Sequence, residues 1–198
     1  VFAGLRYSIA AICLLILLLN RPNARQQVFD LSQGQWLRLT LLGLVFYTVT
    51  QGTQFLALVY LPAVTLSLML NFTVALVALS GLLLNEAPTR WQWIGIGVVI
   101  LGAVIYLGPS EVPAALGLVI GSISVAANAT ASVLGRSINR NGQLLPLVVT
   151  TISMSLGAFL LLIIGVLFQG VPTVSLHSWG VVIWLAVVHT AFAFTLWN

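Results

Sequence analysis

The sequence predicts an all-α protein, a polytopic bundle of transmembrane helices with seven spans visible. Three observations carry this reading. Of the 198 residues, 60% are hydrophobic and 5% charged, with a mean hydropathy of +1.13, where an ordinary soluble domain carries roughly 25% charged residues. The apolar residues come in runs long enough to cross a hydrocarbon core of ~30 Å at about 1.5 Å per helical residue. The charges fall almost entirely in the breaks between those runs. A water-soluble core is thereby excluded.

The hairpin at 61–109 organises the count. It holds one apolar run, the connector Asn85-Glu86-Ala87-Pro88-Thr89-Arg90, and a second run spaced by Gly95, Gly97, Gly102 and Gly108. Counting outward from it gives helix-length runs at 1–19, 37–58, 64–84, 91–107, 114–134, 144–168 and 178–198. Each break contains residues that end a helix for a physical reason: Arg21-Pro22-Asn23, Leu61-Pro62, Ala87-Pro88, Gly108-Pro109 with Val112-Pro113, Asn141-Gly142, and Gly170-Val171-Pro172. Proline removes a backbone donor and clashes with the preceding turn, while glycine lowers the cost of leaving the helix. The longest break, 20–36, reads as a short polar loop. The chain opens at Val1 and stops at Asn198 inside apolar runs, so both ends look cut and the sequence reads as a fragment.

Basic residues in short loops stay on the cytoplasmic side of a membrane. All seven are arginines, against three acids, for a net charge of +4. Arg21, Arg25 and Arg38 flank the first loop, Arg90 lies in the third, and Arg136 and Arg140 lie in the fifth; the second, fourth and sixth carry none. The loops around 20–36, 85–90 and 135–143 are therefore expected in the cytoplasm, placing Arg6 toward the outer end of the first span. Arginines dispersed in this way form no clustered basic face, so nucleic acid is not an expected partner. The one cysteine, Cys13, lies within a span as a small buried residue and has no second cysteine with which to pair.

An internal repeat is suggested by a shift of 143 residues. It places Ile9 on Ile152, Trp36 on Trp179, Leu42 on Leu185 and Val45 on Val188, with loops opposite loops. The matched loops at 20–35 and 169–178 are respectively rich in and free of arginine, which puts them on opposite sides of the membrane. An inverted repeat with an odd number of helices has this property.

The stretch Gly81-Leu-Leu-Leu-Asn-Glu86-Ala-Pro-Thr-Arg-Trp91-Gln-Trp-Ile-Gly95, followed by Gly102, resembles the end of the fourth helix and the fifth helix of the EamA family in the drug/metabolite transporter superfamily. Arg6-Tyr-Ser-Ile-Ala10 resembles the start of that family's second helix, and the run from Trp184 through His189 and Thr190 to Asn198 resembles its eighth. The resemblance implies helices two to eight of ten, built as two inverted five-helix repeats: 1–108 without its first helix, and 109–198 without its last two. One departure stands out: the proline often found within the family's fourth helix is absent, with Asn71, Phe72 and Thr73 in its place. By resemblance the protein is a secondary transporter exporting small organic metabolites, such as amino acids, by alternating access, a permease of the bacterial inner membrane. The alternatives are a non-transporting membrane scaffold, or a transporter of nucleosides, sugars or lipids.

Candidate site residues follow from the cost of polar groups inside a bilayer, which normally face protein or a water-filled cavity. Tyr47, Thr50, Gln51 and Gln54 recur at helical spacing in the second span. The uncharged amides and phenol suit a site that must bind a polar solute and also release it; the competing reading is a stripe that bonds neighbouring helices. Asn71 stacks with Ser67, and Asn128 with Ser124 and Ser132. The substrate-binding set is therefore Tyr47, Gln51, Gln54, Asn71 and Asn128, with the serines assigned to packing and to bonds within their own helices. Arg6 and His189 are candidates for gating or coupling. Arg6 carries a permanent charge that either meets a solute or reaches the interface, and His189, within a span, either relays a proton or holds two helices together. Gly95 with Gly102, and Gly117 with Gly121, are expected to let helices approach closely.

No His-Glu-x-x-His set, Gly-x-Ser-x-Gly elbow, paired intramembrane carboxylates or phosphate-cradling loop is present, and there is no lysine. No enzyme activity, metal or cofactor is expected. The partners are the lipid bilayer and a small polar or amphipathic metabolite, with a proton gradient as the candidate energy source.

Overall fold

A computed structural model describes residues 1–83, 88–107, 114–140, 142–170 and 176–193. The described residues are helical, with no strand: α1 (Phe2–Leu19), α2 (Pro22–Phe29), α3 (Gln33–Gly43), a π-helical segment π1 (Leu44–Thr50), α4 (Gln51–Ala57), α5 (Ala63–Leu83), α6 (Arg90–Leu107), α7 (Ala115–Asn139), α8 (Pro146–Gln169), α9 (Leu176–Ala186) and a second π-helical segment π2 (Val187–Phe192). Four helices, α1, α5, α7 and α8, are long and apolar enough to cross a membrane, and α6 and the run from Ser178 to Phe192 are shorter apolar helices. The remaining expected span, at 37–58, is one unbroken run through α3, π1 and α4. The protein is thus a multi-pass membrane protein with an all-helical fold. Connector residues 84–87, including Glu86, and residues 108–113 lie outside the described residues.

The loop expected at 20–36 contains a helix of its own. Pro22 stands in the first turn of α2, where its missing N–H is no loss. The amide of Gln27 then fastens α2 to the start of α8: Nε2 donates to the Gln143 carbonyl at 2.8 Å and Oε1 accepts from the Leu145 N–H at 2.7 Å. Ser32 and Gln35 form a reciprocal capping box that starts α3. A polar sequence without a strong apolar stripe becomes helical here because tertiary bonds and caps hold it.

The chain forms two compact units, residues 1–48 with 134–198, and residues 49–133. In the first, α1 buries Ala3, Tyr7, Ala10, Ala11, Leu14 and Leu18, a helical-period stripe, against α8. The two run antiparallel, since Gly4 lies on the backbone of Leu162 while Leu17 borders one cavity with Leu147. α3 runs parallel to α8, from Trp36 near Thr151 to Thr48, whose hydroxyl donates to the Gly157 carbonyl at 2.9 Å. This crossing depends on two glycines, because a Cβ on Gly43 would meet the Ser153 carbonyl and a Cβ on Gly157 would meet that of Gly43. In lipid, where burial of apolar surface gives little net drive, such backbone-to-backbone packing is what holds helices together.

In the second unit Ala57, Leu61 and Leu66 form a small core with Met69, Leu70, Leu118 and Ile120. Gly117 packs on Tyr60 and Leu61, and Gly121 on Met69. The glycine expectation holds for this pair, although the neighbours are side chains rather than a helix backbone. It fails for Gly95 and Gly102, whose would-be Cβ positions meet nothing within 4 Å among the described residues. The reason is that α6 packs on α5 through other positions, burying Ile96 and Ala103 and leaving the face with Val98, Leu101 and Ile105 exposed.

Candidate functional site

The second span changes its winding where its candidate residues lie. Through π1 each turn takes in an extra residue, which brings Tyr47 and Thr50 to 2% and 0% exposure. Gln51 and Gln54, one turn apart at the start of α4, stay half-buried. Neither amide hydrogen-bonds to the described residues. Thr53 behaves differently, its hydroxyl donating back to the carbonyls of Val49 at 2.7 Å and Thr50 at 3.1 Å. The Thr50 carbonyl also accepts from the Ser124 hydroxyl of α7 at 3.2 Å. The stripe read from the sequence therefore divides into two buried residues and two half-buried amides with donors and acceptors to spare.

One turn along α7 from Ser124, the Asn128 amide donates to the Thr73 hydroxyl of α5 at a long 3.5 Å. Asn71 stands two residues before Thr73, roughly 200° away around a helix with 3.6 residues per turn, and is exposed. Asn128 and Asn71 are thus not brought together: Asn128 approaches Thr73. Ser67 and Ser132 donate to the carbonyls of Ala63 and Asn128, each at 2.8 Å within its own helix.

The other candidates belong to the first unit. Tyr47 sits in an aromatic cluster, edge-on to Tyr7 at 5.5 Å and to Phe46 at 4.9 Å between ring centroids. Arg6 is half-buried in the first turns of α1; its Nε donates to the Thr190 hydroxyl at 3.1 Å and its guanidinium lies 5.3 Å from the Tyr7 ring. Thr190 is 1% exposed and in turn donates to the Leu185 carbonyl at 3.0 Å, five residues back at the end of α9. An arginine in a span is costly unless held by protein. Here a buried threonine on a π segment holds it. His189, next to Thr190, is exposed, with its ring 6.4 Å from that of Trp184, and it makes no hydrogen bond to the described residues. No set of three metal ligands comes together among the described residues.

Thr190, Thr48 and Thr73 were not marked by their sequence, because threonine inside a helix usually bonds to its own backbone. A signal did exist for Thr190: the shift of 143 residues aligns it with Tyr47. Comparison with known proteins adds one match. The model of the EamA-like transporter family matches residues 1–108. No curated protein and no solved structure matches the chain.

Proposed function

This chain belongs to the EamA-like transporter family, and from that premise we propose that it is a secondary transporter that carries small organic metabolites, amino acids among them, out of a bacterial cell by alternating access. The observation that carries the proposal is the pair of amides at Gln51 and Gln54, neither of which bonds to any of the described residues. A half-buried amide in a span without a protein partner is expensive unless water or a solute reaches it. Two such groups on one helix face offer donors and acceptors to a polar solute while adding no fixed charge, so binding is reversible. Tyr47, Asn71 and Asn128 are the further members of the proposed set, with Arg6 and His189 in gating or coupling.

The proposal that 1–108 and 109–198 are related repeats draws support from element boundaries. Under the shift of 143, the end of α3 at Gly43 falls on the end of α9 at Ala186, and the start of π1 at Leu44 falls on the start of π2 at Val187. Buried Leu39 falls on buried Val182. Apolar identities alone arise readily by chance, but a change of helical winding at matched positions is a rarer coincidence. π segments often mark functional sites, since they free backbone carbonyls and re-aim side chains. In this reading Arg6, tied to Thr190 on π2, is released or engaged as the repeats exchange access. The loops around 20–36, 85–90 and 135–143 are proposed to be cytoplasmic.

Flux in proteoliposomes containing the full-length protein tests this. The vesicles are loaded with labelled amino acids, nucleosides and aromatic metabolites, with and without an imposed proton gradient. Flux of one class that falls at least tenfold in Gln51→Ala or Gln54→Ala, with unchanged melting temperature, is the expected result. If nothing moves through well-folded, correctly inserted protein, the proposal fails and a scaffold or a transporter of other solutes takes its place.

A further inference from the structure

Arg6, Tyr7 and Tyr47 come together within the first unit. The Tyr7 ring lies 5.5 Å from that of Tyr47, which stands near the midpoint of the span expected at 37–58, so the group is set deep in the hydrocarbon region. The Arg6 guanidinium carbon is 5.3 Å from the centre of the Tyr7 ring. Thr190 takes its Nε. The two terminal nitrogens, with four N–H donors between them, bond to none of the described residues. The phenol hydroxyls of Tyr7 and Tyr47 bond to none of them either, although the two residues are only 7% and 2% exposed. These atoms are nonetheless open to contact: among the described residues, the unpartnered polar atoms without accessible surface are the hydroxyls of Thr151 and Ser155. The positive charge has no counter-ion within the spans of this chain, whose three acids, Asp30, Glu86 and Glu111, all fall in the breaks between them. A half-buried guanidinium at that depth is costly until an anion meets it.

We propose that Arg6, Tyr7 and Tyr47 form a subsite for the carboxylate of the transported solute, so that the cargo is a monocarboxylate, amino acids included, rather than an uncharged metabolite. The inference deepens the transport reading and rests on it; Tyr7 enters as a new member of the binding set, and Arg6 holds cargo as well as gating. Charge, donor geometry and depth each select this group. The terminal nitrogens of a guanidinium match the two oxygens of a carboxylate as a fork. The Tyr7 phenol is near enough to donate to the same anion, because two hydrogen bonds through one oxygen span about 5.5–6 Å. Tyr47 offers a second phenol beside it. A phosphate monoester, with up to two charges, would leave one uncompensated against a single arginine, and a lipid headgroup lies at the interface rather than at the depth of Tyr47. Thr190 is the positioning residue: by taking Nε it leaves the terminal edge of the guanidinium for the solute, and a change in the winding of π2 would move that edge.

The test uses full-length protein in detergent, titrated with the common amino acids, benzoate and lactate, and in parallel with the primary amide of each, while the melting temperature is followed. At least one acid is expected to raise it where its amide does not. Tyr7→Phe and Tyr47→Phe remove hydroxyls that hold nothing in the protein, so both should melt with the wild type without ligand, yet each should weaken binding of the acid about tenfold. Arg6→Gln should abolish the distinction between acid and amide, and Arg6→Lys, which keeps the charge but not the fork, should restore it only in part. The proposal is overturned if no acid binds, if the amides bind as well as the acids, or if both phenylalanine variants bind the acid as the wild type does. It is equally overturned if phosphatidylglycerol displaces the bound acid, which would mark Arg6 as a headgroup site. Flux in proteoliposomes separates this failure from that of the transport reading. Flux of uncharged solutes that is lost in Gln51→Ala but intact in Arg6→Gln overturns the carboxylate subsite alone, whereas acids that bind through Arg6 but never cross the membrane overturn transport while the subsite stands.

Discussion

Adding one methyl group at Gly157 should push α3 away from α8. A Cβ there would meet the Gly43 carbonyl, with the Gly43 carbonyl carbon at 2.8 Å and the Tyr47 Cβ at 2.7 Å, whereas ordinary contact begins at 3.4 Å. The obstructing atoms include backbone, so no rotamer change relieves them, and the helices must separate by about 1 Å to restore normal contact distances of ~3.5–4.0 Å. Overpacking of this kind costs about 1–3 kcal/mol. The Thr48 hydroxyl bond to the Gly157 carbonyl, at 2.9 Å, would stretch with it, adding up to ~1 kcal/mol. Gly157→Ala is thus expected to lose about 1–4 kcal/mol, read as a melting temperature lower by roughly 2–16 °C at ~2–4 °C per kcal/mol in a detergent where the wild type unfolds reversibly. The control is Gly102→Ala on α6, where a Cβ meets nothing within 4 Å; there the helix propensity of alanine makes the change neutral or stabilising by up to ~1 kcal/mol. If Gly157→Ala melts with the wild type, or Gly102→Ala is the more damaging, the reasoning about close helix crossing is wrong.

Two more perturbations follow from single hydrogen bonds. Gln27→Ala removes both bonds that fasten α2 to residues 143 and 145; at ~1 kcal/mol each the effect should appear as about tenfold or faster amide hydrogen exchange across α2, with the exchange of α1 and α8 unchanged. Thr190→Val takes away the acceptor for the Arg6 Nε and the donor to Leu185, leaving a half-buried charge less well held. A loss of about 1–3 kcal/mol is expected, largely recovered in Thr190→Ser; equal damage from the two variants would show that the methyl group, not the hydroxyl, matters.

The span positions were legible because the signal is thermodynamic and local: a run of apolar residues about 20 long has no other stable place than the bilayer. Gly117 and Gly121 were legible as packing residues for a similar reason, since small residues recurring on one helix face leave room for a neighbour. The same rule misjudged Gly95 and Gly102. A glycine in the sequence records that space is available, while the placement of neighbours decides whether anything fills it. The loop at 20–36 hid a helix because what holds α2 there includes bonds from Gln27 to residues more than a hundred positions away, which no local window can register. Within the candidate site, Gln51 and Gln54 were readable as polar positions in a span. That Tyr47 and Thr50 are more deeply buried than the two amides was not, since regular helical spacing gives no hint of a π segment.

By itself, then, the sequence determined that this chain is a helical membrane protein, where its spans lie, and which few polar residues enter the hydrocarbon region, because each follows from the transfer cost of individual residues. The tertiary structure alone decided which of those polar groups are satisfied and which are free. Thr190 holds Arg6, the Thr50 carbonyl is taken by Ser124, and among the described residues Gln51 and Gln54 are unclaimed and Thr151 and Ser155 are left without partners. A hydrogen bond depends on ångström-scale positions set by the crossing of whole helices, and those crossings depend on contacts between segments far apart in the chain.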